Sequence, residues 1–544
     1  MSRLPRFDLH LAPMAGEGLH VSYRAELAPV AGGTALLRIP LTMVSVPFPP
    51  YTAADLTVMD DDGELVLVGV DEEPTPMGQH RSWSANRATV GALTVSYFAP
   101  VRHVDESSAN GPLFDLRGED RGVIGSGMGF LVLPVTEEEF DIGLRWRSNG
   151  HGYAAAVSSR GEGDQTWKGR LETLAFCTFA AGDLRRYPAW HGDDPSKGPV
   201  PDLAMYWLSD PPFDTDAVGS YIASSYANMA TFFQEEERNY RVFIRANPFK
   251  GTGGTAMPQS FTFGYNRHGS VDAEELRTLL SHEMAHNWPK LDGEHGDTAW
   301  YSEGTAEYYS LLLQYRGGAL DVATLVHELN SRTSGYLTNP LHVVNNREAA
   351  EQFWQDSRAQ RIPYGRGLLY LIAVDGRIRL ASDGRKCLDD VVLDILRTQR
   401  NGGTVTLDGW VERVAAHIGP DARAMFEHMV SGADIEIPGT AFDGAVAATA
   451  TLEHTLELGF DHASFKLTPR VVRGLDASSA AASAGLREGD ALRTAGVPTT
   501  VMNHNDAELE LDIIRDGETL TVRFWPRGHK VPSLRWAATG QAQP

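Results

Sequence analysis

Short runs rich in apolar, β-prone residues, broken by clusters of polar turn formers, fill the first third of the chain. Residues 21–27, 35–41, 64–68 and 92–98 are β-prone stretches of this kind, separated by turn formers such as Asp60-Asp61-Asp62-Gly63. Several short strands separated by turn signals make a sandwich the natural architecture, so residues 1–195 are predicted to be a β-rich, sandwich-like domain. Tyr187-Pro188, Asp193-Asp194-Pro195 and Gly198-Pro199 mark a loop-rich passage from 162 to 198. Strand and helix patterns then mix, with strands at 203–208 and 240–245 and a helix at 215–235. A glycine-rich turn at 251–254 leads to a strand at 259–265. No Gly-Lys-Ser/Thr follows those glycines, which excludes a phosphate loop. Beyond residue 270 the period lengthens to that of helices. Leu276, Leu279 and Leu280 share a helical face, Asp272 and Glu275 have capping-box spacing, and Pro289 stops the run. A second helix crosses 300–313 and ends at Gly317-Gly318; further helices are predicted at 320–329, 349–354, 367–378, 388–400 and 407–417. After 440 short β-prone runs return at 469–472, 508–514 and 520–524, around an alanine-rich stretch at 478–490. The pattern is that of a multidomain α+β chain, divided at about 1–195, 196–440 and 441–535.

Composition narrows the setting. The chain has 544 residues, enough for about three domains, and 42% hydrophobic residues suffice for their cores. A formal charge of −23 argues against nucleic acid or an anionic membrane as a main partner. Two cysteines, Cys177 and Cys387, make no disulfide framework. The first ten residues contain no apolar signal region and no long apolar run occurs, so a cytoplasmic protein is expected as written, and a periplasmic or secreted one if a signal was removed.

The chemistry gathers at His282-Glu283-Met284-Ala285-His286. Positions four apart lie above one another on a helix, so two imidazoles at this spacing can share a metal ion. Glu283 is offset around the helix, within reach of a metal-bound water rather than of the metal. Five residues are a weak pattern in a chain with 18 histidines, and the next helix supplies what is lacking. Glu303 near its start can be the third ligand, completing a two-His, one-Glu set with a position open for water. One Zn2+ per chain is the expected cofactor. Glu307, one turn on, is the candidate to accept the other ring hydrogen of His282. Glu294, His295 and Asp297 in the intervening loop are the next candidates should Glu303 not ligate.

At these residues the chain resembles the gluzincin metallopeptidases, and within them the glycyl aminopeptidase family. Ser302-Glu303-Gly304 stands where relatives carry Asn-Glu-Gly, and Pro363-Tyr364-Gly365-Arg366-Gly367 matches their Pro-Tyr-x-Lys/Arg-Gly helix start. Cys387-Leu388-Asp389-Asp390-Val391 is similar to a further family segment. The resemblance implies a thermolysin-like zinc peptidase domain with a helical lobe at 196–440, in which Glu283 is the general base and Tyr364 stabilises the oxyanion. It also implies that the strand just before the histidine helix edges the cleft and that an extended peptide or protein substrate pairs with it. Residues Gly253, Gly254, Thr255, Ala256 and Met257 align with the family's substrate-binding stretch, where relatives have Gly-x-Met-Glu-Asn or Gly-Gly-Leu-Glu-His. Ala256 replaces the glutamate that pairs with a free N-terminal ammonium, so aminopeptidase-like activity with altered recognition of the N-terminus is expected.

The tail resembles a PDZ domain, which the same family carries. The run from Ala484 to Asp490 matches the helix-to-strand turn, and Leu458-Gly459-Phe460 matches the carboxylate-binding loop, with Glu457 in place of the usual leading glycine. A peptide ligand at that groove is therefore a further expected partner. Two other classes stay open on sequence alone: a zinc hydrolase of a non-peptide such as an epoxide, and a non-catalytic zinc- and peptide-binding scaffold. The intact Glu283 argues against the second, since a binder has no need of a general base.

Overall fold

The computed structural model describes residues 3–540 except 15, 45, 76, 107, 109–110, 148–154, 191–200, 250–252, 268, 270, 272, 468 and 495. The turn signals at 193–195 and 198–199, the start of the glycine-rich turn at 251–252, and the capping pair Asp272 with the side chain of Glu275 lie outside the described residues. The chain forms two compact units, Met1–Asn287 and Trp288–Pro544. Among the described residues no helix is long and apolar enough to cross a membrane.

In the first unit the β-prone runs form two sheets that share one core. Seven strands run in the order Gln165–Arg170, Glu139–Trp146, Arg6–Met14, Gly18–Ala25, Leu93–Pro100, Thr57–Asp60 and Gly63–Glu64. The other sheet is built on Ala35–Met43, Gly78–Ala85 and Leu67–Asp71. Inward residues of both, among them Leu9, Val21, Tyr23, Ile39, Trp83, Val95 and Leu144, make one buried cluster. A third sheet, including Gly122–Ser126 and Thr178–Gly182, packs Ile124 and Ala180 against Ala204, Tyr206 and Phe243.

Those last three residues belong to a mixed sheet ordered Arg185–Tyr187, Leu203–Trp207, Tyr240–Asn247, Ser260–Asn266, Gly253–Met257. Its two central pairings are parallel, joined by the crossover helix Thr215–Phe232, whose N-terminus is capped by Asp214. One expectation is corrected here. The strand before the histidine helix is interior, and the edge belongs to Gly253–Met257, so Gly253 and Gly254 are strand residues rather than a turn. The turn lies at Pro258-Gln259, where Gln259 takes a φ of 55° and proline supplies the fixed φ that such a two-residue turn favours.

The second unit is helical up to residue 430. Helix His295–Arg316 crosses helix Ile362–Ala381 at very short range: a Cβ on Gly304 would stand 2.6 Å from Gly367 backbone atoms, and one on Gly367 2.0 Å from the Trp300 carbonyl. Helix Val322–Leu337 runs eight residues past its expected end, and Ile362–Ala381 starts five residues early, with Pro363 tolerated in the first turn. The C-terminal module pairs Val446–Leu456 with Arg527–Ala538 and adds a three-stranded sheet of Ala491–Leu492, Leu509–Arg515 and Glu518–Phe524 around its own core.

Candidate active site

The histidine helix, Ala273–Ala285, is held within the first unit by its polar face. Ser281 Oγ lies 2.8 Å from Tyr221 Oη and 3.3 Å from Ser225 Oγ of the crossover helix. Just past its end, Asn287 Oδ1 accepts from Gln259 N at 3.0 Å, which ties the helix to the hairpin turn. His282 and His286 bring their Nε2 atoms to 3.1 Å, with the rings nearly perpendicular at 85°. Two nitrogens each about 2.05 Å from a tetrahedral zinc would be about 3.3 Å apart, so the pair is spaced for a shared ion. His282 is buried.

Glu283 lies against the edge strand. A Cβ on Gly254 would come within 2.9 Å of its carboxyl carbon and oxygen, so only glycine lets strand and carboxylate approach this closely. Along the strand, Thr255 turns to the opposite face, where its hydroxyl accepts from Leu113 N at 2.8 Å. Alternation then returns Ala256 to the Glu283 face.

Glu303 is buried on helix His295–Arg316, and among the described residues one group of potential metal ligands stands out. The ligating atoms of His282, His286 and Glu303 all lie within 4.8 Å of one another. Two imidazoles and a carboxylate are the donor set a catalytic zinc takes, so these residues fit the ion. Glu294, His295 and Asp297 are exposed around the start of the same helix.

Glu307, buried one turn beyond Glu303, is paired with the largely buried guanidinium of Arg332, which also holds Glu328. The two carboxylates hold the Arg332 guanidinium in its charged form despite the cost of burial. The sequence gives no sign of this partner: Arg332 sits within an ordinary amphipathic pattern, 25 residues away. Tyr364 is half-buried in the first turn of helix Ile362–Ala381, with the Arg361 guanidinium 5.3 Å over its ring. Two residues on, the fully buried Arg366 fixes that turn by donating to Tyr336 Oη, Asn346 Oδ1 and the carbonyls of His342 and Val344 at 2.6–3.1 Å. The motif arginine is therefore an internal anchor.

In the C-terminal module Leu458 and Phe460 are buried in its core and Gly459 takes a φ of 78°. The chain then enters the 3-10 helix His462–Lys466, and among the described residues no strand follows the loop directly. His462 is turned inward, with Nδ1 3.3 Å from Asp356 Oδ1 and Nε2 3.1 Å from Ser357 Oγ.

No protein-family model matches the sequence, and no curated protein matches it. Solved structures do. An aminopeptidase N family protein from Idiomarina loihiensis is similar over 97% of this chain and 98% of its own, with a TM-score of 0.63 and 14% identity. An M1 zinc metallopeptidase from Deinococcus radiodurans, in a mutant form bound to a Tyr-Ser-Ala substrate, is similar over 80% of this chain and 95% of its own, with a TM-score of 0.50 and 16% identity. Another structure of an M1 zinc metallopeptidase from Deinococcus radiodurans gives a TM-score of 0.50 at 15% identity, over 80% of this chain and 96% of its own. At such identities the likeness is one of fold. The chain has a multidomain fold of mixed helix and sheet, like that of the aminopeptidase N family protein.

Proposed function

We propose that this protein is a zinc-dependent peptidase, aminopeptidase-like in fold, whose recognition of the substrate N-terminus is altered. The observation that carries the reading is the grouping of His282, His286 and Glu303, with Glu283 lying along an open edge strand. His282, His286 and Glu303 would hold one zinc ion, and Glu307, fixed by Arg332, is assigned to the free ring hydrogen of His282. Zinc bound there supplies Lewis acidity, lowering the pKa of water and polarising a carbonyl. A peptide extends the sheet by pairing with Gly253–Met257, which presents its scissile bond to Glu283. Glu283 takes the proton of the attacking water and delivers it to the leaving amine. The Tyr364 phenol donates to the developing oxyanion, a contribution of about 3 kcal/mol in comparable sites.

The test is a pair of variants. Glu283→Gln should keep a full equivalent of zinc by elemental analysis and lose turnover, about 10³-fold or more. Glu303→Ala should lose most of the zinc. Full zinc in Glu303→Ala would remove it from the ligand set, and hydrolysis of an epoxide panel with no peptide cleaved would overturn the peptidase reading.

A further inference from the structure

At the end of strand Tyr240–Asn247, away from the metal ligands in the sequence, the first unit contains a cavity of about 280 Å3 bounded by Arg102, His103, Arg117, Glu119, Asn247 and Arg267, among others. Its lining carries three guanidiniums against one carboxylate, in a chain whose net charge is −23. The negative charges nearby are already committed. Asp115 accepts from Arg245 at 2.6 Å through one oxygen, and from Arg117 at 2.6 Å and Arg102 at 3.0 Å through the other. One carboxylate thus serves three guanidiniums. Glu119 uses its two oxygens on the backbone N–H groups of Ser209, at 3.3 Å, and Ala246, at 3.1 Å.

The cations, by contrast, keep capacity. Arg117 reaches Asp115 through Nε and Asn247 Oδ1, weakly, through Nη2 at 3.5 Å; among the described residues its Nη1 has no hydrogen-bond partner. Arg267 is exposed at the cavity mouth, and among the described residues its guanidinium has no ion-pair partner. Burial and the adjacent Arg245 push the Arg117 guanidinium down to about 10, a sign of cationic charge short of compensation. Planar guanidinium forks at a partly desolvated wall favour an oxyanion that accepts two parallel bonds.

We propose that this cavity is a binding site for a small, doubly charged oxyanion, of phosphate or dicarboxylate chemistry, gripped by Arg117 and Arg267. The test uses the full chain, zinc-loaded and chelator-treated, titrated calorimetrically with inorganic phosphate and separately with succinate, at an ionic strength held constant with sodium chloride. One or both anions should bind with a stoichiometry of one per chain whether or not zinc is present, and the anion that binds identifies the chemistry. Arg267→Glu, an exposed change that leaves the buried cluster intact, should weaken binding by about tenfold or more. Arg117→Lys, which keeps the charge and loses the fork, should weaken it as well. The proposal is overturned if neither anion binds, if binding disappears with zinc, or if Arg267→Glu binds as tightly as the parent.

Discussion

Ala256 presents a methyl group on the strand face that also carries the Gly254–Glu283 contact. A substrate ammonium brought there would lose water without gaining a carboxylate on the strand, an unfavourable exchange of several kcal/mol in a closed site. The parent should therefore cleave a peptide and its N-acetylated form with kcat/KM values within about tenfold of each other. Ala256→Glu should raise the preference for the free amine by about tenfold or more, the worth of one charge-assisted bond. A hundredfold preference for the free amine in the parent would mean that another acid has taken the role. His462 is a second residue with a measurable signature. Burial pushes its pKa down to about 4, against the opposing pull of Asp356 and with Arg358 and Lys466 adding to the depression. The folded chain keeps the ring neutral while the unfolded chain protonates it below about 6.5, so this residue removes stability as pH falls from 6.5 towards 4, by about 3 kcal/mol in all. In thermal melts across that range, His462→Gln should lose less stability than the parent; parallel curves would show that the histidine does not contribute. The closeness of His282 to His286 was legible in the sequence, because helical spacing alone brings residues four apart together. The closeness of Gly254 to Glu283 was not, because it depends on which strand lies at the sheet edge.

At the scale of elements, the family-like segments turn out to be places where helices touch or begin. Gly304 and Gly367 belong to Ser-Glu-Gly and Pro-Tyr-Gly-Arg-Gly, and they lie at one helix crossing, where neither tolerates a side chain. The crossing sets the helix that carries Glu303 against the one that carries Tyr364. Gly304→Ala or Gly367→Ala should cost about 1–3 kcal/mol by overpacking, or more because backbone blocks relaxation. Denaturant unfolding reads this loss directly, and an unchanged midpoint would show that the helices can separate freely. Cys387-Leu388-Asp389-Asp390-Val391 has a similar explanation. It starts helix Leu388–Arg400, with Asp390 accepting from Cys387 N at 3.0 Å and Asp389 accepting from Arg316 at 2.7 Å. Helix existence was readable from the spacing of apolar residues, but the start at Ile362 was not. Two glycines and a proline depress helix propensity there, and the compensation comes from Arg366 and from tertiary packing.

For the molecule as a whole, the passage from strands to helices and back to strands was legible from the change of period along the chain, whereas the way the C-terminal module is used within the second unit was not. Helix Val322–Leu337 is gripped by that module. Asn330 bonds both the N–H and the C=O of Trp536, at 2.8 and 3.1 Å, and the Trp536 indole donates to Thr333 Oγ1 at 2.9 Å. The Thr338 carbonyl accepts from Leu456 N and Thr455 Oγ1. The same helix sends Arg332 to Glu307 and Tyr336 to Arg366, so it joins the module to the helix of Glu303 and to that of Tyr364. Such joints are invisible in a sequence, since Asn330 and Trp536 lie 206 residues apart and neither belongs to a motif. Asn330→Ala removes both main-chain bonds to Trp536 while leaving the buried indole in place, at a cost of about 1–3 kcal/mol. Hydrogen exchange should then show protection falling together in Val446–Leu456, Arg527–Ala538 and Val322–Leu337, because a cooperative unit opens as one. Loss confined to the two strands, with Val322–Leu337 protected as in the parent, would show that the module is an independent appendage and that the helix draws its order from the helical lobe alone.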